Sequence, residues 1–125
     1  MFEAPGVWNS RHHTRQSDRL NRYRLTSFKR YVARGRRSGA VAELIKSDRI
    51  FKANGARAYA EAWALTFYLV ETEPRKYFDY LAKMSSRPVL ASYPPAERIK
   101  DFTDIFGDNF TMLDARLVRF ISQFR

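Results

Sequence analysis

Few side chains in this sequence stand where they could do chemistry together, and their types limit what that chemistry would be. His12 and His13 are the only histidines. Two imidazoles on a helix grip one ion when they stand four residues apart, whereas adjacent ones on an irregular segment diverge. The pair is read as non-ligating. Carboxylates come in near pairs, Asp101 with Asp104 and Glu71 with Glu73. General acid–base work needs a carboxyl whose pKa is matched to the task, and these four read as solvent-facing helix charges. Glu61 differs because it interrupts the most apolar stretch of the chain, YAEAWALTFYL, from Tyr59 to Leu69. Between Tyr59 and Trp63 it would be a cleft carboxylate flanked by aromatics. On a helical wheel, however, it shares a sector with Arg57, Ala64, Tyr68 and Glu71. The expectation is therefore a solvent-side pair with Arg57, four residues back. No HExxH, GxSxG or phosphate-binding glycine loop is present, so no catalytic residue and no metal ligand is assigned. Whether the chain is an enzyme stays open at this point.

Tyr59 and Trp63 have two readings. They are core residues of a helix, or they form the wall of a cleft, where the phenol and the indole N–H would find polar partners. The cations form the other candidate set. Residues 1–39 hold ten Arg and Lys against Glu3 and Asp18, whereas residues 40–125 hold thirteen against eleven acids, so the formal net charge of +10 is mostly an N-terminal property. Such a segment attracts polyanions, acidic proteins or anionic surfaces, or is simply a solvated face. Arg19, Arg22, Lys29, Arg30 and Arg34 gather on one side of a helix and are the candidate anion-binding residues. No nucleic-acid-binding motif accompanies them. A helix-turn-helix needs a tight turn after its first helix, and GRRSG at residues 35–39 fits that poorly.

The elements that position these residues are helices. With 45% hydrophobic residues the chain is too apolar for disorder. A length of 125 residues suits one domain that buries roughly two-thirds of its unfolded surface. The lack of cysteine excludes disulfides, thiol catalysis and cysteine-based zinc sites. The opening residues, MFEAPGVWNSRHH, contain no apolar run of the signal-peptide kind. The longest apolar stretch, Ala58 to Val70, is 13 residues and carries Glu61, short of the roughly 20 that span a bilayer. No compartment is assigned.

Residues 1–16, with Pro5-Gly6, read as an irregular basic arm, and residues 17–125 as a single α-helical domain. Ser17 is the expected cap of a first helix reaching Arg34, with Leu20, Leu25, Phe28, Tyr31 and Val32 inward. Arg24 falls among them and must snorkel outward or find an acid. After the GRRSG break, Ser38 would cap a short helix that buries Val41, Leu44 and Ile45. Asp48 to Lys52 reads as irregular, with a turn at Asn54-Gly55. The central helix covers about residues 56–72, with Tyr59, Trp63, Phe67 and Val70 as one apolar stripe. It is apolar round most of its circumference and is therefore expected to be surrounded by its neighbours. Pro74 opens the next helix, burying Tyr77, Phe78, Leu81 and Met84, with Asp79 and Lys83 paired on the solvent side. A further helix runs from Pro95 to a stop at Gly107. Its buried residues are Ile99, Phe102, Ile105 and Phe106. Asn109 or Thr111 caps the last one, which carries Leu113, Leu117, Phe120, Ile121 and Phe124. The fold expected is all-α, with five or six helices around the Tyr/Trp-bearing one.

Five segments occur in a family-like order: FEAPG, NRYRL, ELIKSD, YAEAWALTFYL and DIFGDNFTMLDARLVRFI. In that order the chain resembles the C-terminal helical part of an uncharacterised bacterial domain family, itself similar to the gluzincin-like zinc peptidases of the MA clan. Phe2, Glu3 and Pro5 match a Phe-Glu-x-Pro element. Tyr59, Trp63, Ala64 and Leu65 match a Tyr-x-x-x-Trp-Ala-Leu helix, and Phe106 and Gly107 match a Phe-Gly turn. In that family the HExxH helix and the glutamate resembling the third zinc ligand come earlier, so here they would precede Met1. The resemblance implies a truncated domain that holds no zinc itself and packs against an upstream zinc-bearing domain. It would act as scaffold, with Tyr59 and Trp63 nearest the cleft, and would not be catalytic alone. The rival reading is a basic binding module for nucleic acid or an acidic protein. Self-association is a third expectation, since a missing upstream domain would leave apolar surface exposed.

Overall fold

A computed structural model describes residues 20–37, 39–88 and 92–124, and over these the chain is all-α. In order, the helices are α1 (Arg22–Ala33), α2 (Ala40–Lys46), α3 (Arg49–Ala53), α4 (Gly55–Thr72), α5 (Pro74–Ser85), α6 (Pro95–Phe106) and α7 (Phe110–Ser122). The arm at residues 1–16, with His12 and His13, lies outside the described residues, as do Ser17, Arg19 and Ser38.

Local chemistry sets the helix ends. Asn21 caps α1: its backbone is extended and its side-chain oxygen accepts from the Arg24 N–H at 3.1 Å. That contact satisfies one of the otherwise orphaned amides of the first turn. Asn54 does the same for α4, accepting from Arg57 N at 3.2 Å, and Asn109 for α7, accepting from Met112 N at 3.0 Å. Pro74 and Pro95 open α5 and α6, where a missing N–H costs nothing. The stretch expected to be irregular, Asp48 to Lys52, forms most of α3, a five-residue helix. It is too short to show a hydrophobic period and is held by packing.

Gly107 ends α6 with φ +88° and ψ 168°, a region that only glycine occupies without strain. Space is not the constraint, because a Cβ there would meet nothing within 4 Å. Gly107→Ala should therefore lower stability by about 1–3 kcal/mol through backbone strain alone. Urea unfolding followed by circular dichroism would read it, and an unchanged midpoint would contradict the strain.

As expected, α4 is the hub, touching α1, α2, α3, α5 and α7. Its inward face is rotated from the one expected, however, keeping Phe67 of the expected stripe but not Tyr59, Trp63 or Val70. Ala58, Ala60, Glu61, Ala64, Leu65, Phe67, Tyr68 and Leu69 are the buried residues. Tyr59 is 55% exposed, and Trp63 and Val70 are only partly covered. A helix apolar on nearly every side offers the wheel no contrast, and the alanines let the neighbouring backbones close in on the small side. The core joins Leu25 and Phe28 of α1, Val41, Leu44 and Ile45 of α2, Phe102 of α6, and Leu117 and Ile121 of α7 to the inward side of α4.

The next helix is also rotated from expectation. Phe78 is 71% and Leu81 40% exposed. Tyr80 points inward instead, with ring edges against Phe102 at 5.5 Å and Phe106 at 5.8 Å. Lys83 does not stay with Asp79; it reaches α6, lying 3.5 Å from Asp101 and 3.2 Å from Asp104.

Candidate functional site

The polar centre of the molecule is one that sequence reasoning placed in solvent. Glu61 is 1% exposed. Its partner is not Arg57 but Arg36, from the turn between α1 and α2. The Arg36 Nε donates to both Glu61 oxygens, the longer bond being 3.0 Å. Its Nη2 donates to Asp114 Oδ1 of α7 at 2.6 Å. The Arg36 side chain is only 2% exposed, and its guanidinium lies 5.2 Å from the centre of the Phe28 ring. One planar fork thus holds two carboxylates from different helices, a geometry that arginine supplies and lysine does not.

Two anions share one cation here, and the protonation preferences follow from that. Burial raises the Glu61 pKa above the usual carboxylate range. Arg36 opposes the rise, and the nearby Asp114 charge adds to it. Burial works against the Arg36 charge as well, but its donated hydrogen bonds to Asp114 and Glu61, with their charges, outweigh it and hold its pKa above the ordinary value. Tyr31, close by, is raised by burial and then by the Glu61 charge. Arg57 lies 4.6 Å over the Tyr31 ring. Both line an open cleft of about 750 Å³ with Arg37, Glu43 and Ile50.

A second polar cluster joins the loop before α6 to that helix. Asp101, expected in solvent, is 8% exposed. The Tyr93 hydroxyl donates to its Oδ2 at 2.6 Å and Arg87 Nη1 at 3.3 Å. Burial and the hydrogen bond to Asp101 push the Tyr93 phenol up to about 12. Arg87 also stacks on the Tyr93 ring at 3.9 Å and donates to Glu97 at 2.9 Å. Arg98 donates to the carbonyl of Ile45 at 2.9 Å, tying α6 to the end of α2. Asp104 does remain a surface carboxylate, accepting from Lys100 at 2.8 Å and Lys83 at 3.2 Å.

Tyr59 and Trp63 are brought to neighbouring but different surroundings. Trp63 is half-buried and stacks on Phe67 at 5.3 Å, with the planes 10° apart. Tyr59 stands at the edge of α1 and α4. Phe51 meets its ring edge-on at 5.1 Å. Arg24, for which an acid or a snorkelling path was expected, lies 5.3 Å from the rings of both Tyr59 and Tyr23. Tyr23 is 69% exposed, so the surface reads tyrosine, guanidinium, tyrosine.

The candidate anion-binding set does not remain one free patch. Arg22, Arg30 and Arg34 are exposed. Lys29 is committed: its Nζ donates to the carbonyl of Phe124, pinning α1 to the end of α7. Sequence reasoning missed Arg36 and Asp114 altogether. Their one visible signal was Glu61 itself, a carboxylate in an apolar helix that needs a cation from elsewhere in the chain.

Among the described residues no three His, Cys, Asp or Glu side chains are grouped to hold a metal ion. Glu61 and Asp114 converge, but the Arg36 guanidinium fills the place between them, so this pair does not suit zinc. No helix among the described residues is long and apolar enough to cross a membrane.

The fold and its polar centre define an all-α protein organised round a buried ionic triad, with an aromatic–arginine surface at one edge. The chain belongs to the family described as protein of unknown function (DUF1570), whose model matches residues 1–91. Neither the curated proteins nor the solved structures yield a match.

Proposed function

We propose that this chain is the C-terminal helical segment of a gluzincin-like metallopeptidase-related protein, serving as scaffold and cleft wall and not catalytic by itself. In this reading residues 17–125 are one domain, and zinc belongs to an upstream part of the protein. The carrying observation is the exposed Tyr23–Arg24–Tyr59 surface. Rigid aromatic rings with a polar tip, interleaved with arginine, are the side chains enriched where protein surfaces meet. The ordered segments matching the family pattern around Tyr59 and Trp63 support the same assignment. The triad supports it in another way: its charges are spent on holding helices together, which leaves scaffold as the role of the core.

The reading frame upstream of Met1 should encode HExxH and a Glu-Gly pair; a frame without them would overturn the proposal. With that upstream part produced separately, Tyr23→Ser and Tyr59→Ser together should weaken its association with this chain about tenfold or more, as for the loss of interface anchors. Unchanged association would remove Tyr59 from the cleft wall.

The second reading, a basic module for nucleic acid or an acidic protein, draws on the exposed Arg30 and Arg34 of α1. Fluorescence anisotropy with single-stranded and duplex DNA at low and moderate salt tests it. Binding should fall steeply with salt, and salt-independent binding would exclude it. Self-association would use Phe78 and Leu81, three residues apart on α5 and both exposed. Sedimentation of the purified chain and of Phe78→Ser would read it.

A further inference from the structure

A shallow cavity of about 360 Å³, widely open to solvent, lies between α4 and α7, lined by Tyr68, Arg116, Arg119, Phe120 and Gln123. Arg116, Phe120 and Gln123 recur at intervals of four and three, so they share one face of α7, with Arg119 beside them. Among the described residues neither the Arg116 nor the Arg119 guanidinium has an ion-pair or hydrogen-bond partner, and no acid lines the cavity.

The wall on the α4 side is more telling. Tyr68 is only 8% exposed, yet among the described residues its hydroxyl makes no hydrogen bond. Buried hydroxyls are nearly always paired, and an unpaired one is destabilising. Its ring is held by an edge-on contact with Phe120 at 5.5 Å and 65°. A hydroxyl with no protein partner, two unpaired guanidiniums, a carboxamide-bearing residue and an aromatic residue thus line one small space.

We propose that this cavity is a binding site for the oxyanion, phosphate or carboxylate, of a small organic ligand. Arg116 and Arg119 supply the charge, in the planar fork that suits such oxygens. The Tyr68 hydroxyl donates the hydrogen bond it otherwise lacks. Phe120 takes the carbon part of the ligand, and Gln123 offers its amide at the rim. The volume lies at the small end of the usual range for ligand sites, about 300–1,000 Å³. A cationic ligand is disfavoured by the two arginines. No α1 residue and neither Tyr23 nor Tyr59 lines the cavity, although Lys29 reaches the neighbouring Phe124 carbonyl, and the proposal does not depend on the scaffold reading.

Calorimetric titration of the full chain with phenyl phosphate and with inorganic phosphate, at matched ionic strength, tests the proposal. Phenyl phosphate should bind, and more tightly than inorganic phosphate. Arg116→Ala with Arg119→Ala should weaken it about tenfold or more. Tyr68→Phe should weaken it about two- to tenfold while the unliganded protein melts no lower, because the hydroxyl has no partner to lose. Arg30→Ala with Arg34→Ala, which removes the same charge from α1, should leave the affinity unchanged. The proposal is overturned if neither anion binds at 10 mM (about the weakest affinity worth assigning to such a site). It is equally overturned if the α7 and α1 double variants behave alike, or if inorganic phosphate binds as well as phenyl phosphate.

Discussion

Arg36→Ala should destabilise the protein by about 3–5 kcal/mol, the usual result of removing one partner from a buried ion pair. The Arg36 and Glu61 side chains are almost fully covered and Asp114 nearly so, and the substitution leaves two carboxylates facing each other with no cation. Against a typical total of about 5–15 kcal/mol, such a loss removes much of the stability of the chain. The measurement is urea unfolding by circular dichroism on the wild type, Arg36→Ala, and a triple variant, Arg36→Met, Glu61→Leu, Asp114→Leu. The triple variant should recover most of the loss, since apolar groups of similar size need no desolvation. A single variant as stable as the wild type would mean that water reaches the triad.

The same site sets a pH dependence whose sign is determined. Burial raises the Glu61 pKa in the folded protein, so the folded state holds this proton more tightly than the unfolded one. Between the raised value and the ordinary carboxylate range, the folded state binds more protons, and the contribution of this group to stability grows as pH falls. The stability of the wild type relative to Glu61→Gln should therefore rise as pH is lowered from 7.5 towards 4.5. A relative stability that falls over that interval would show Arg36 to be the stronger influence on Glu61. Asp104 acts in the opposite direction, because its hydrogen bonds to Lys100 and Lys83 hold its pKa below the usual range. The paired comparison with Glu61→Gln removes that shared background.

Phe102→Ala carries the second large effect, about 3–5 kcal/mol. Phe102 is fully buried and sits at the centre of a ring cluster, 4.7 Å from Phe106, 5.5 Å from Tyr80 and 5.7 Å from Phe110. These contacts join α5, α6 and α7, so truncation opens a cavity that rigid rings cannot fill. Trp63, a candidate core residue on the sequence alone, would carry a loss of this size if it were fully buried. Trp63 is only half-buried and stacks on Phe67 at the margin of the core. Trp63→Ala should therefore fall within the ordinary range for a single substitution, about 0.5–3 kcal/mol. Finding Trp63→Ala costlier than Phe102→Ala would reverse the assignment of the core centre.

The contrast between these two aromatics shows which features were legible. Helix ends at Pro74, Pro95, Gly107 and Asn109 could be read because their causes are local: a missing N–H, a glycine conformation, a capping side chain. The core side of α7 could be read as well, since Leu117 and Ile121 stand against a polar opposite face. The inward side of α4 could not, because Tyr59, Trp63 and Val70 make the outer side as greasy as the inner one. Only packing against α1 and α7 decides between them. Nor could the orientation of α5, where Phe78 and Leu81 compete with Tyr80 at equal hydrophobicity. The triad was hidden for another reason. Arg36 lies in a turn, 25 residues from Glu61 and 78 from Asp114, and no periodicity extends that far.

That long reach has a bearing on how the chain matures. Helix α7 brings Asp114, Leu117 and Ile121 to the interior and gives Lys29 its carbonyl at Phe124. A nascent chain therefore cannot lock its centre until residues 110–124 have left the ribosome. Until then Arg36 has only Glu61 to hold, and Leu25 and Phe28 lack their cover. The intermediate should be sticky and protease-sensitive, and a length just short of α7 is where a holding chaperone would be most needed.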